Sequence, residues 1–402
     1  EQNSIGLFWS HTQLIHQVLP QSIHNVLKYH AIVQGVPKRP GQHWFVVCVD
    51  DFTARLYNLY EEVRAEGISK PVVLGINRSD YMLDTEVKEE HQEGFVLRQV
   101  ELNTISACLG GMASKIPYLH RYVYWEVPYI EGTIAAVNLG VKRLVWVKMC
   151  CVCSEACPIV LSFSFFLTLN TNGNEVAVVY FRTGYAPNQY DDSAWRVRRM
   201  LERSRASCCP DIATQLAGTK KVQQELASSD VLISSLGFSA TTAARLQQTF
   251  TTMFSLDDGE DGDKAVQKAL ANPSGYVLKP QRDGGGNNLY DEDIVHFFES
   301  NERGLQRKDR AAFILMHRLR PPPEWNVPIR PNTLPRPELC VSELGVFGAY
   351  VRCGTDMIFN SCCGHLLRSK NAMCNEGGIL RGDAMLDNPY LVEEPAKTNK
   401  QA

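Results

Sequence analysis

Apolar positions along this chain recur with two different spacings, and each regular stretch predicts an element. Ala194, Val197 and Leu201 fall at i, i+3 and i+7, one face of a helix whose other face carries five arginines and is expected to be solvated. Ala243, Leu246, Phe250 and Met253 trace a second helix, residues 54–66 a third and 264–271 a short fourth. Short apolar runs bounded by Gly, Pro or polar residues predict strands over 71–75, 96–105, 175–181, 276–279 and 313–316. The last quarter reads as short strands, 339–342, 348–352 and 365–370, separated by Gly-rich turns. Residues 257–263 place five carboxylates in seven positions; they fail the calcium-loop pattern and predict a solvated loop. Residues 122–172 hold Trp- and Cys-bearing apolar stretches with neither spacing. Helices and strands mix throughout without an internal repeat, so the fold class is α/β, mixed with α+β.

Composition narrows the function classes. With 41 Lys+Arg against 44 Asp+Glu, the net charge of −3 argues against bulk nucleic-acid or anionic-membrane binding. A length of 402 residues supports two or three domains. The 13 cysteines are odd in number and mostly single or adjacent (Cys208-Cys209, Cys362-Cys363), which predicts reduced thiols in a cytoplasmic protein. Cys150, Cys151, Cys153 and Cys157 lack the paired Cys-x₂-Cys spacing of a zinc ribbon, and no histidine follows at ligand spacing. The longest apolar stretch, 158–169, falls short of the ~20 residues of a membrane span. The chain opens at Glu1 with no basic segment before an apolar run, so no signal peptide is expected. Asn77-Arg78-Ser79 matches a glycosylation sequon and means little without one.

The sharpest local feature is Lys279-Pro280-Gln281-Arg282-Asp283-Gly284-Gly285-Gly286-Asn287-Asn288, where a predicted strand delivers a lysine and three glycines follow. Glycines let backbone N–H groups approach an anion and form a nest for phosphate oxygens. The lysine adds a point charge, and Asp283 offers a hard oxygen suited to Mg²⁺. The run is not a Walker A loop, because no Gly-Lys-[Ser/Thr] follows; a flexible turn is the plain alternative. Glu101 and Asn103 lie two apart on a predicted strand, so they share a face and can hold a divalent ion, although a polar edge strand has the same pattern. Glu343, next after 339–342, is a third candidate acid. Arg368 and Lys370 also share a face, which suits an anion between them, the alternative being an exposed edge strand. Arg78, Arg182 and Lys220 are further single cations. Together the set describes a nucleotide–metal–carboxylate site, and no Ser-His-Asp or Cys-His nucleophile can be read beside it.

These residues sit in blocks that resemble the eukaryotic-type glutathione synthetases, a permuted branch of the ATP-grasp ligases. The blocks are DDFTARL (50–56), NRSDYM (77–82), ELNTIS (101–106), CPDIATQLAGTKKVQQEL (209–226), KPQRDGGGNNLY (279–290), SELGVFGAYVR (342–352), GHLLRSK (364–370) and LDNPY (386–390). They cover roughly 50–121 and 173–395, in family order. The resemblance implies an ATP-grasp fold with a substrate domain and a Gly-rich lid. It further implies a cytoplasmic homodimer that joins γ-glutamylcysteine to glycine with ATP and Mg²⁺, without nucleic acid or membrane. By domain, 1–49 falls outside the match and 50–121 is the first part of the catalytic unit. Residues 122–205 are a substrate domain, shortened and divergent at 122–172, and 206–402 complete the catalytic unit with a lid around 255–345.

By family position, Glu101, Asn103 and Asp283 would hold Mg²⁺. ATP would meet Glu101, Lys220, Lys279, Pro280, Gln281, Arg282, Asp283, Gly284, Gly285, Gly286, Asn287, Asn288 and Tyr290, then Met316, His317, Arg318, Leu319, Glu343, Lys370 and Glu376. The peptide substrate would meet Arg78, Ile105, Ser106, Ala107, Cys108, Arg182, Thr183, Gly184, Tyr185, Arg368, Ile379 and Leu380, with Arg368 and Lys279 in catalytic roles.

The chain departs from the family pattern in places. Between His120 and Glu175 a longer family stretch, whose Glu-x-Asn…Gln residues bind γ-glutamylcysteine, is replaced by shorter Cys-rich sequence. Asp283 stands for Glu, Cys108 for Ser, His317 for Glu in the adenine hinge, and Leu380-Arg381 for a small Ala-Ala pair near the acceptor. Two alternatives therefore stand beside the synthetase: a degenerate paralogue that binds nucleotide or a partner subunit without ligating, and a homologue using another acceptor such as β-alanine.

Overall fold

The computed structural model describes residues 49–67, 70, 72–85, 95–120, 161–163, 168–171, 174–281, 286–299, 307–330, 334–354, 356–379 and 382–389. The expectations for 1–48, for the Cys150–Cys157 group, for Arg282, Asp283, Gly284 and Gly285, and for Leu380 and Arg381 lie outside the described residues. In chain order the first elements are α1 (Asp51–Ala65), β1 (Val72–Asp84), β2 (Val96–Asn103), α2 (Gly110–Ala113), β3 (Leu161–Phe163), β4 (Leu169–Thr171), β5 (Asn174–Glu175) and β6 (Val178–Tyr180). There follow α3 (Asp192–Arg203), β7 (Ser207–Cys209), α4 (Ile212–Ala217), α5 (Lys220–Leu226), α6 (Ala240–Gln247), β8 (Met253–Ser255), α7 (Glu260–Ala271) and β9 (Tyr276–Pro280). The chain closes with α8 (Glu292–Glu299), α9 (Arg307–Arg310), β10 (Phe313–His317), β11 (Glu324–Asn326), β12 (Glu338–Cys353), β13 (Asp356–Asn371) and β14 (Ala384–Asp387).

The central sheet is antiparallel in the order β14-β13-β12-β1-β2, with β11 paired to the far end of β12. Its strands are longer than the sequence spacing predicts. The expected strand 71–75 runs on to Asp84 as β1, and the three short C-terminal strands are two strands of 16 residues each. Gly345 and Gly364, which fall in the expected turns, lie inside those strands, as does Gly348. Gly345 faces Arg78 and Asp80 closely, while Gly348 and Gly364 flank a bulge where the β12–β13 register shifts. The strand expected over 96–105 stops at Asn103, and Glu343 lies within β12 rather than at a strand end.

Helices α1, α4, α5 and α6 pack Phe52, Leu56, Leu216, Val222 and Leu246 into one core together with Leu102 of β2 and Trp195 of α3. Asp50, Asp191 and Asp211 start α1, α3 and α4 by accepting from the backbone N–H three residues on. Helix α6 ends at Gln247 instead of reaching Met253, because Arg98 captures the Gln248 and Phe250 carbonyls at 2.7 and 3.1 Å and Met253 opens β8. The expected strand 175–181 divides, since β5 pairs antiparallel with β4 and β6 parallel with β7.

A second sheet, β8-β10-β9, is covered by α7 and α8 around Leu256, Ala265, Leu278, Ile294, Phe298 and Leu315. The acidic run is only in part a solvated loop: Glu260 and Asp261 are exposed, but the run turns helical at Glu260 and its two ends are paired. Glu260, Asp261 and Asp263 form the first turn of α7, where negative charge suits the helix N-terminus. Asp263 pairs with Arg310 at 2.6 Å, and Asp257 with Lys221 at 2.7 Å. The arginine face of α3 is also not uniformly solvated. Arg198 is buried, donating to Glu202 at 3.0 Å and Gln215 at 2.8 Å, with its guanidinium 4.2 Å from the Phe181 ring centre. The i, i+4 glutamate makes that burial tolerable. None of the eight cysteines among the described residues forms a disulfide, and no helix there is long and apolar enough to cross a membrane.

Gly75 lies opposite Tyr350, whose buried ring occupies the space a Cβ would need and whose hydroxyl meets Thr214 of α4 at 3.1 Å. Gly75→Ala therefore lowers the unfolding free energy by about 1–3 kcal/mol through overpacking. A denaturant titration with an unchanged midpoint would contradict this packing.

Candidate active site

Four neighbouring strands of the central sheet, β2-β1-β12-β13, bring charged side chains to one wall of a cavity of about 980 Å³. Arg78 comes from β1, Glu101 and Asn103 from β2, Glu343 from β12, and Arg368 and Lys370 from β13. Register places them together: Asp80 faces Glu101 across β1–β2, and Glu343 faces Arg368 across β12–β13. Both i, i+2 pairs read from the sequence thus line the same cavity.

Ion pairs satisfy this wall. Arg78 binds Asp80 through Nε and Nη2 at 2.7 and 2.8 Å. Arg368 Nη2 donates to Asp80 at 2.9 Å and also to Glu343, while the buried Arg368 Nε has no partner. Lys220 Nζ, buried behind the wall, donates to Glu101 at 2.7 Å. Burial alone would raise the Glu101 carboxyl, but the charges of Lys220 and Lys279 reverse this and hold it well below the usual carboxylate range. Burial outweighs Arg368 at Glu343, aided by the charges of Asp80 and Glu101, and pushes that carboxyl up.

The β8-β10-β9 sheet borders the opposite side. Lys279, at the end of β9, is buried and donates to the Val100 carbonyl at 3.2 Å. Burial and then the charge of Lys220 lower its pKa to about 8, against the pull of Glu101, Glu343 and Glu376. Lys370 is lowered too, chiefly by burial, and donates to the Asn375 carbonyl at 2.6 Å. Past the glycines, Gly286, Asn287, Asn288 and Tyr290 line the cavity, as do Met316, His317, Arg318 and Leu319 at the end of β10. Glu376 ties two loops together, accepting from Gly286 N at 3.0 Å and Asn288 Nδ2 at 3.2 Å. Arg318 joins Asp291 and Asn375 at 2.8 and 2.9 Å.

The third side is the loop after β2. Ile105, Ser106 and Cys108 reach the cavity, and Ser106 (φ 54°) donates to the Phe181 carbonyl at 3.2 Å. Arg182 and Tyr185 line it from the turn after β6, where Gln189 Oε1 accepts from the N–H groups of Gly184 and Tyr185 at 2.7 and 3.0 Å. Ile379 completes this side.

Ala107, Thr183, Gly184, Lys220, Pro280 and Gln281 stand outside the lining. Gln281 instead joins the end of β9 to α5, accepting from Lys221 N at 2.8 Å and Lys220 N at 3.3 Å. Sequence reasoning missed Asp80, whose signal was an acid two positions after Arg78 on one strand. Asn375 was also missed, and nothing local marks it. Among the described residues no cluster of three or more His, Cys, Asp or Glu side chains could hold a metal ion. Glu101 and Asn103 offer only hard oxygen atoms, a donor set that suits Mg²⁺ shared with phosphate rather than a thiolate or imidazole metal.

The chain is similar to known proteins over most of its length. Residues 42–391 match the family model "Eukaryotic glutathione synthase, ATP binding domain". The chain is 41% identical over 385 residues to glutathione synthetase of Mus musculus, covering 85% of this chain and 80% of the relative. It is 40% identical over 393 residues to the Homo sapiens protein, with the same coverage, and 33% identical over 389 residues to the chloroplastic protein of Solanum lycopersicum, covering 85% and 69%. Among solved structures, a glutathione synthetase-like effector of Globodera pallida in the apo form has the same fold. Its TM-score is 0.63 at 18% identity, over 96% of this chain and 87% of that one. The chain belongs to the eukaryotic glutathione synthase family, whose matched domain binds ATP.

Proposed function

We propose that this chain is a glutathione synthase that joins γ-glutamylcysteine to glycine through an acyl phosphate, releasing ADP and phosphate. The observation that carries the reading is a single cavity lined by Lys279 and Gly286 on one side and by Arg78, Glu101, Arg368 and Lys370 of the central sheet on the other. A carboxylate is a poor electrophile. A cysteine carboxylate oxygen of the donor takes the γ-phosphoryl group and ADP leaves; the glycine amine then attacks the acyl carbon and phosphate departs with that oxygen. No protein nucleophile is required, so the chain acts by positioning and charge.

In this reading adenine takes the apolar end, where Val277, Met316, Leu319 and Val341 line the cavity. Lys279 and Lys370, with Gly286 beside them, take phosphate oxygens. Arg368, whose buried Nε is unpartnered, and Arg78 receive the donor carboxylate. Glu101 and Asn103 would hold Mg²⁺, which when bound neutralises charge on the transferring phosphoryl group. Closure of the β8-β10-β9 sheet and the 372–379 segment keeps water from the acyl phosphate. The protein works as a cytoplasmic homodimer in this proposal.

ADP release from the purified chain requires both γ-glutamylcysteine and glycine, and Glu101→Gln lowers it about 100-fold or more, since a metal ligand supports several kcal/mol of charge stabilisation. ATP turnover with neither substrate, or none with both, contradicts the proposal. Replacing glycine by β-alanine in the same assay reads the acceptor preference that Leu380 and Arg381 put in question.

The Lys279 pKa of about 8 gives a pH dependence. Phosphate binding uses the ammonium, so kcat/KM for ATP is full below about pH 8 and falls above it. Lys279→Arg removes that break up to pH 10, because a guanidinium does not titrate there. An unchanged kcat/KM for ATP between pH 7 and 9.5 in the native protein would contradict the role given to Lys279.

A further inference from the structure

Asp80 lies behind the charged wall rather than in the cavity lining, and its side chain is fully buried. Its carboxylate accepts four hydrogen bonds: Arg78 Nε at 2.7 Å, Arg78 Nη2 at 2.8 Å, Arg368 Nη2 at 2.9 Å and Asn103 Nδ2 at 2.9 Å. All three donors' residues line the cavity. Space for the group comes from Gly345 opposite it on β12, where a Cβ would approach Arg78 Cδ at 2.7 Å and Asp80 Oδ1 at 2.8 Å.

We infer that Asp80 is a positioning residue that aims both arginines at a substrate carboxylate and fixes which end of the Asn103 amide meets a divalent cation. An ionised carboxylate accepts hydrogen bonds and donates none, so the half of the Asn103 amide that faces it must be the NH₂. The amide oxygen is thereby left for the cavity, where a cation takes oxygen ligands. A flipped amide would set oxygen against oxygen and turn a donor toward the cation. The arginines follow the same logic. Two-point attachment fixes the plane of the Arg78 guanidinium, and sharing Nη2 with Glu343 leaves the buried Arg368 Nε unpartnered and available to a ligand. The negative charge of Asp80 also allows the two cations to sit side by side without a ligand between them. The role thus refines the ligase reading, on which the choice of ligands rests.

Three variants test it by binding alone, which needs no turnover. Asp80→Asn keeps the volume and removes the charge. Calorimetry with γ-glutamylcysteine then gives a dissociation constant raised about tenfold or more, as loss of a charge-assisted contact would. In the same variant, Mn²⁺ binding followed by electron paramagnetic resonance with a non-hydrolysable ATP analogue weakens about fivefold, the penalty for an amide free to present nitrogen. Adding Asn103→Asp to that variant restores Mn²⁺ affinity to within about twofold, because a carboxylate offers oxygen whichever way it turns. Peptide binding stays weak, since the arginines are not restored.

Gly345→Ala keeps every charge, displaces the Arg78–Asp80 pair and weakens peptide binding in the same direction, which holds the test open if Asp80→Asn does not fold. A lowered melting temperature with both binding constants unchanged, or unrescued Mn²⁺ binding in the double variant, overturns the inference. A native chain that binds both probes yet forms no glutathione overturns the ligase reading and leaves this one standing.

Discussion

An ionised side chain taken out of water costs several kcal/mol unless an opposite charge and well-placed hydrogen bonds meet it. The architecture around the cavity follows from that constraint. Arg78, Asp80, Arg368 and Glu343 form a chain of alternating sign, and Glu101 with Lys220 forms a second, joined to the first by the charge of Arg368 at Glu101 and of Glu101 at Glu343. Each member sits on a neighbouring strand or on a helix packed behind the sheet, so strand register decides who meets whom. A slip of one residue in any one of these strands would turn its member of the set to the opposite face and break the chain there. The length of the central strands, stretching past glycines that elsewhere would make turns, holds that register over many rungs.

The β8-β10-β9 side works differently. Its polar contacts with the rest of the described residues include Lys279 to the Val100 carbonyl, Gln281 to the start of α5, Lys221 to Ser255 and Asp257, and Arg320 to Asp84 and Thr85. Lys279 is held partly discharged by burial and by Lys220. Further negative charge in the cavity would shift that balance toward the ammonium. Glu376, clasping Gly286 and Asn288, connects the 372–379 segment to the same region.

Parts of this were legible in the sequence for a simple reason. A strand repeats every two residues, so Glu101/Asn103 and Arg368/Lys370 announce a shared face without any tertiary knowledge. Blocks such as KPQRDGGGNNLY and GHLLRSK carried the family resemblance for the same local reason. Asp80 was legible only as an acid sharing a strand face with Arg78; its contacts with Arg368, 288 positions away, and Asn103, 23 positions away, were not. Arg198 was misread as solvated because periodicity shows which residues could face the core, whereas Gln215 and Phe181, which receive it, come from other elements. The acidic run after Leu256 looked solvated for a related reason: Lys221 and Arg310, which neutralise it, approach from α5 and α9.

The account turns on whether ATP activates the donor's carboxylate in this cavity. γ-Glutamylcysteine labelled with ¹⁸O in its cysteine carboxylate, turned over with ATP and glycine, reads that step directly by mass spectrometry of the released phosphate. An acyl phosphate transfers one carboxylate oxygen, so the account predicts phosphate carrying a single ¹⁸O for each glutathione formed. Unlabelled phosphate would mean that water, not the donor, takes the γ-phosphoryl group, and would contradict it.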